Sequence, residues 1–203
     1  SIRLVEAQVP VRALPPALAG LRVGLMTDVH HSRFFSREDV DIGIRYGRGQ
    51  WPNLVAERLV GEDVMPVCAP SLVKGTNPLK KPADLKRFTL LHIGSFPDDW
   101  QVWLTAAGIK GIDSSRGVTF DNALVAYQAA MDGLGVALGR APLVAPDLKA
   151  GRLVMPFDYK MSSEFAYYLV YPAEAIRRRK IKAFRDWLMT LAEGAASTAA
   201  KAA

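Results

Sequence analysis

The sequence predicts an α/β fold in two similar lobes, with largely parallel strands that receive ligands at their carboxyl ends. Three observations predict it. Strand-like and helix-like stretches alternate along the whole chain. Its 203 residues suffice for two lobes of about 100 each, and two separate candidate cores can be traced. No internal repeat or low-complexity linker interrupts the chain, so a lobe boundary must fall inside extended strands.

The elements follow in order. Residues 1–9 open as a short strand with Ile2 and Leu4 inward, and Pro10, Pro15 and Pro16 confine any following helix to a piece around 17–21. The stretch LRVGLMT at 21–27 alternates apolar and small residues as a strand does, and VDIGI at 40–44 is the next strand. Trp51-Pro52 turns the chain towards a strand at 55–60, and 63–68 continues extended. Asn77-Pro78 and Lys81-Pro82 make 76–83 a loop, followed by a helical turn at 82–85 and the compact strand FTLLHI at 88–93. Asp98 stands at an N-cap position with Gln101 three residues on to reach back. That predicts a helix over 99–107 which buries Trp100, Trp103 and Leu104 and is ended by Gly108. A strand at 117–120 leads to a helix at 122–131 capped by Asp121, with Leu124, Tyr127 and Met131 at helical spacing. Gly133-Leu134-Gly135 stops it before a strand at 136–138, and 148–157 holds a turn and another strand. FAYYLVY at 165–171 has high β propensity throughout. Ile181, Phe184, Trp187, Leu188 and Leu191 stripe one face of a long last helix, with a small-residue tail from 194.

Composition narrows the class. Half the residues are hydrophobic and 23% are charged, which is ordinary for a globular chain. No apolar run approaches the roughly 18–20 residues of a membrane helix, and SIRLVEAQVP lacks the plan of a signal peptide. Cys68 is the one cysteine, which excludes an intrachain disulfide, and three scattered histidines make no metal cluster. A reducing cytoplasm is the expectation. The net charge of +6 has its densest cluster at Arg177-Arg178-Arg179-Lys180, read as a solvated helix face or a phosphate or partner contact. Zinc-finger spacing, an aromatic RNA-binding signature and a helix-turn-helix are missing.

Enzyme motifs fail as well. Neither GxSxG nor GxGxxG after a strand occurs. Cys68 reads as a small buried hydrophobe with no base suggested nearby. His30 and His31, if on a strand, point to opposite faces and could not both grip one ion. No cofactor is implied. What remains is binding: four strand ends carry polar groups, namely Thr27-Asp28, Arg45-Tyr46, His92, and Thr119-Phe120 with Asp121-Asn122. In a two-lobed α/β fold such ends converge on the interlobe cleft. Helix starts at Asp98 and Asn122 add N–H donors that suit an anion or a carbonyl. Arg45 and His92 favour a small carboxylate- or phosphate-bearing metabolite. The plainer alternative is that Thr and Asn here only cap, and that Arg45 only pairs with Asp39 or Asp41.

The chain also resembles a known family over about residues 21–191. The residues that carry the resemblance are REDVDIGIRYG at 37–47, WPNL at 51–54, VCAP at 67–70 and LLH at 90–92. Trp100, Trp103-Leu104 and Ala106-Ala107-Gly108 fit a W-x-x-W-L-x-A-A-G pattern. Phe120-Asp121, Ala129-Ala130, GLGVAL at 133–138 and GRLV at 151–154 complete it. These resemble the effector-binding domain of LysR-type transcriptional regulators, in the subgroup of the glycine-cleavage activator and the β-lactamase regulators. The resemblance implies a type 2 periplasmic-binding-protein-like fold, with lobe I at 1–64 plus 167–203, lobe II at 65–166, and 63–68 and 165–171 as crossover strands. It implies a small anionic effector bound at the cleft residues above and a homodimer through this domain. It also implies a homotetramer of the whole protein whose DNA binding this part controls, and no enzymatic activity. The family's N-terminal winged helix-turn-helix is absent from this chain, which reads as a fragment. The stretch 8–20 is shorter than the family's usual loop and helix, so either residues are missing or the first wall of the cleft differs. Two rivals come from other classes, a free-standing solute-binding protein of a transporter and a small enzyme.

Overall fold

The computed structural model describes residues 18, 21–26 and 41–201. The strand expected at 1–9, His30, His31, Asp39 and two candidate site residues, Thr27 and Asp28, lie outside the described residues. Two compact units divide the chain, Ser1–Val60 with Phe165–Ala203, and Gly61–Glu164.

In the first unit, β1 (Val23–Met26) lies parallel to β2 (Ile42–Gly47), with Val23 opposite Ile42 and Met26 opposite Arg45. On its other side β2 runs antiparallel to β7 (Met161–Tyr171), with Gly43 opposite Val170 and Gly47 opposite Ala166. The core is built on α5 (Arg179–Lys201), whose Ile181 and Phe184 bury against Leu18, Ile42, Leu169 and Tyr171, with Trp187 and Leu188 packed beside them. The predicted stripe therefore does the packing, although Leu191 at its far end stays exposed. Glu57 on β3 (Val55–Val67) accepts a hydrogen bond from the Tyr171 hydroxyl at 2.6 Å and a forked pair from the Arg185 guanidinium. These tie helix to strand.

In the second unit the strand order is β3, β6 (Val136–Arg140), β4 (Leu90–Ile93) and β5 (Val118–Phe120). Strand β6 is antiparallel to β3, and β4 is parallel to both β6 and β5. Neighbouring residues on a strand face opposite ways, so Leu90 enters one core and Leu91 another. The first contains Trp100, Trp103 and Leu104 of α2 (Asp99–Ala106), with Leu72 and Val73 of the short α1 (Pro70–Lys74) packed against them. The second contains Ala126, Tyr127 and Ala130 of α3 (Ala123–Met131) and Val144 of α4 (Ala141–Lys149). Helices on both faces explain why β4 and β6 read as continuous apolar runs rather than alternating ones.

Several local expectations are corrected. Asn122, not Asp121, caps α3: its Oδ1 accepts the Leu124 N–H at 2.8 Å. Asp98 makes no side-chain cap bond, and Gln101 instead bonds the hydroxyls of Thr105 and Ser114. Strand β3 runs unbroken through Gly61-Glu62, where the sequence suggests two pieces, because the Glu62 charge is neutralised inside the protein. Helix α4 was not expected, since it holds Pro142 and Pro146; Pro142 falls in the first turn, where no N–H is needed. The strand expected within 148–157 reduces to a single bridge between Cys68 and Val154.

Candidate functional site

Strand β2 is the clearest case of a strand dry in its middle and charged at its ends. Asp41, just before it, accepts the backbone N–H of Arg22 at 3.1 Å and a hydrogen bond from Arg178 at 3.2 Å. Its carboxylate is therefore committed at the amino end of the strand. Ile42 is core. At the carboxyl end Arg45 leaves the sheet on the face opposite Ile42 and Ile44, with its guanidinium carbon 5.8 Å from the centre of the Trp51 ring. Burial lowers the pKa of Arg45, and no carboxylate among the described residues pairs with it. Asp41 is ruled out as its partner.

The loop after β2 is shaped to hold that arrangement. Trp51 meets Tyr168 edge-on at 5.5 Å. A Cβ on Gly47 would lie 2.9 Å from the Trp51 ring, and one on Gly49, at φ 79°, 2.7 Å from the Tyr168 ring. Only glycine lets the chain fold back this tightly. On the other face Tyr46 stacks on Phe165 at 5.5 Å and leans on Tyr167 at 5.1 Å, while Arg48 lies over Phe165 at 5.2 Å. Tyr46 is thereby a buried packing residue of the strand end.

In the second unit the parallel strands β4, β5 and β6 bring their carboxyl ends, and the starts of α2, α3 and α4, to one edge. Thr119 and Asp121 are exposed there, Phe120 is half-buried against the α3 core, and Asn122 caps α3. His92 pairs in register with Thr119, but it is 8% exposed and its Nε2 lies 3.1 Å from the Arg116 carbonyl. That ring is engaged in holding the loop before β5. So the structure gathers Thr119, Phe120, Asp121 and Asn122 in one unit, with His92 behind them, and Arg45 and Tyr46 in the other.

A cluster at the same edge escaped the sequence reading. Arg140, the last residue of β6, is 3% exposed, Glu62 is 2% exposed, and the two form an ion pair. Arg140 also pairs with Asp99 in the first turn of α2 and lies 3.6 Å from the centre of the Phe96 ring. Its backbone N–H donates to the Tyr127 hydroxyl at 3.3 Å. Burial raises the pKa of Asp99 against the pull of Arg140, and burial pushes the Tyr127 phenol up to about 12. The signal was present: Arg140 ends a buried run just as Arg45 does.

Fold and strand ends together are those of an α/β domain that presents charged and polar groups at the carboxyl ends of its strands. No group of three or more His, Cys, Asp or Glu among the described residues could hold a metal ion. No helix among them is long and apolar enough to cross a membrane. The family profile described as LysR substrate binding domain matches residues 13–193, and the chain belongs to that family. Its architecture is the type 2 periplasmic-binding-protein-like one expected of the effector domains of these regulators. The glycine cleavage system transcriptional activator of Escherichia coli K12 is 42% identical over 155 residues, covering 76% of this chain and 50% of that protein. The HTH-type transcriptional activator AmpR of Pseudomonas aeruginosa is 31% identical over 172 residues, covering 84% of this chain and 56% of that protein. The solved effector domain of AmpR from the same organism aligns at a TM-score of 0.66 and 31% identity, over 80% of this chain and 76% of that one. The chain spans about half the length of the curated relatives it matches. These relatives are regulators and lend nothing to the transporter alternative.

Proposed function

We propose that this chain is the effector-sensing and self-associating part of a bacterial LysR-type transcription regulator. In this reading a small anionic metabolite binds at the carboxyl end of β2, and its free energy acts through differential affinity for two arrangements of the regulator. Arg45 takes the anionic group. The two units correspond to the family's lobes I and II. The domain pairs as a homodimer, the whole protein is a cytoplasmic homotetramer, and DNA is read by an N-terminal winged helix-turn-helix. No chemistry is done on the ligand.

One observation carries the reading. Arg45 is a half-buried guanidinium at a strand's carboxyl end, held by Trp51 and lacking a carboxylate partner among the described residues. A cation kept partly out of water without a counter-ion is costly unless something anionic visits it. Thermal-shift screening against small carboxylic and phosphorylated metabolites tests this. A ligand at 100 times its Kd should stabilise by about 2.7 kcal/mol, a rise of roughly 5–10 °C for a chain of this size. Arg45→Met keeps the stem on Trp51 and should abolish the shift. A variant that retains the full shift removes Arg45 from the site.

A further inference from the structure

The net charge of the chain belongs to one unit. Ser1–Val60 with Phe165–Ala203 holds fifteen Lys and Arg against nine Asp and Glu, and Gly61–Glu164 holds eleven of each, which accounts for the +6. Among the described residues of that unit, the densest part of the excess lies at the end of β2 away from Arg45. Asp41 at the amino end of β2 bonds both Arg22 and Arg178. Beside it the 3-10 helix Ala173–Arg177 runs into α5, and Arg177, Arg178, Arg179, Lys180 and Lys182 are all exposed. Lys182 pairs with Asp186. No carboxylate among the described residues pairs with Arg177 or Arg179.

Folding does not call for this arrangement. The first turn of α5 contains no acidic residue and opens on Arg179 and Lys180. Cations at a helix N-terminus oppose the helix dipole and repel one another. A partner with closely spaced negative charge turns that unfavourable placement into binding. Arginine predominates, and its forked guanidinium matches phosphate oxygens in pairs. A stable protein interface would need an apolar core, yet no exposed large hydrophobic falls within residues 173–182.

We propose that this face of the first unit binds the phosphate backbone of double-stranded DNA without reading bases. The choice of DNA among polyanions rests on the proposed role in transcription regulation. The face lies at the opposite end of β2 from Arg45, so it is separate from the ligand residues of that strand. In the whole protein it would strengthen and orient a complex whose sequence is read elsewhere. Tethering supplies a high local concentration of phosphate even where the isolated contact is weak.

Fluorescence anisotropy of the 203-residue chain on a labelled random duplex of about 30 bp, titrated from about 50 to 200 mM salt, is the test. Three net cations are expected to engage: Arg177, Arg179, and the one by which Arg22 and Arg178 exceed Asp41. Each contributes about −0.9 to the slope of log affinity against log salt, so binding should weaken about 40-fold across that range. Arg177→Ala with Arg179→Ala should reduce the loss to about fourfold, with a melting temperature no lower than the parent's. Lys110→Ala with Lys149→Ala removes the same charge from the second unit and should leave binding as it was. The proposal is overturned by no duplex binding at the lowest salt, by an unaltered slope in the Arg177/Arg179 variant, or by an equal loss in the Lys110/Lys149 variant. Tighter binding to polyglutamate than to the duplex overturns it as well, in favour of an acidic protein. The assay contains no effector and the ligand site is read by thermal shift, so either can fail while the other stands.

Discussion

Arg140→Met tests the reading of the buried cluster at the edge of the second unit. The substitution removes the one cation shared by Glu62 and Asp99 and keeps an apolar stem against Phe96. Deleting one partner of a buried ion pair costs about 3–5 kcal/mol, because the other charge is left uncompensated. Glu62 bears the full cost at 2% exposure. Asp99 bears less, since its side chain is 25% exposed and water can replace part of what is lost. The lower half of the range, about 3–4 kcal/mol, is therefore expected, a fall of roughly 6–16 °C in Tm for a chain of about 200 residues. Urea unfolding followed by tryptophan fluorescence should show the midpoint drop with little change in slope. The pH sense follows from Asp99, whose folded pKa already lies above its unfolded value. Ionising it costs the native state, and that cost relaxes as pH falls through the folded pKa. The deficit of Arg140→Met relative to the parent should thus shrink between pH 7.5 and about 5. Removing the acids together, as Glu62→Leu/Asp99→Asn/Arg140→Met, should recover most of the loss, since a fully apolar replacement leaves no stranded charge. A single variant that loses less than about 1 kcal/mol, or a triple variant no better than the single, would refute the reasoning.

Two further outcomes are expected. The Arg185 guanidinium, helped by the Tyr171 hydroxyl, holds the Glu57 carboxyl below its ordinary value; its contribution is present above the unfolded pKa of about 4.3 and is lost as pH falls through the folded pKa. Glu57→Gln should lower stability at neutral pH by about 1–2 kcal/mol and flatten the decline in acid, a result contradicted by parallel pH profiles in urea unfolding. Cys68 is 0% exposed and burial pushes its thiol up to about 11, so a thiol reagent at pH 8 should label it only after unfolding. Rapid labelling of the native chain would show that the bridge between Cys68 and Val154 opens readily.

How much was legible follows from which forces act locally. Alternation, helical stripes and glycine stops identified most elements, since each depends on residues a few places apart. The capping expectations failed by one residue at α3 and altogether at α2. Asp121 and Asn122 are both good caps by residue type, and only the backbone decides which one enters the last non-helical position. Helix α4 was hidden by its prolines, and the continuity of β3 through Gly61-Glu62 by a charge whose partner, Arg140, lies 78 positions away. Long-range compensation leaves no local trace. Arg45, Tyr46 and Thr119 to Asn122 were legible as strand ends, whereas the occupation of His92 by the Arg116 carbonyl, contributed by a loop, was not.

The two arginines that end buried strands show why partners, rather than residue types, separate structure from function. Arg45 and Arg140 occupy equivalent places, each the charged stop of an apolar run, and a rule based on pattern alone ranks them equally. Arg140 is enclosed by Glu62, Asp99 and an aromatic face, so its charge is spent on joining β3, β6 and α2. Arg45 has an aromatic platform and no carboxylate among the described residues, while Asp41, one of the two acids expected as its partner, is held at the other end of β2 by Arg22 and Arg178. The placement that leaves Arg45 without a carboxylate among the described residues also commits Asp41 to only two of the arginines at the amino end. Among the described residues, one strand thus has a cation without a carboxylate partner at its carboxyl end, Arg45, and two more beyond its amino end, Arg177 and Arg179. A chain whose second unit balances its charges one for one has no general tolerance for excess, which favours two anionic partners over a merely basic surface.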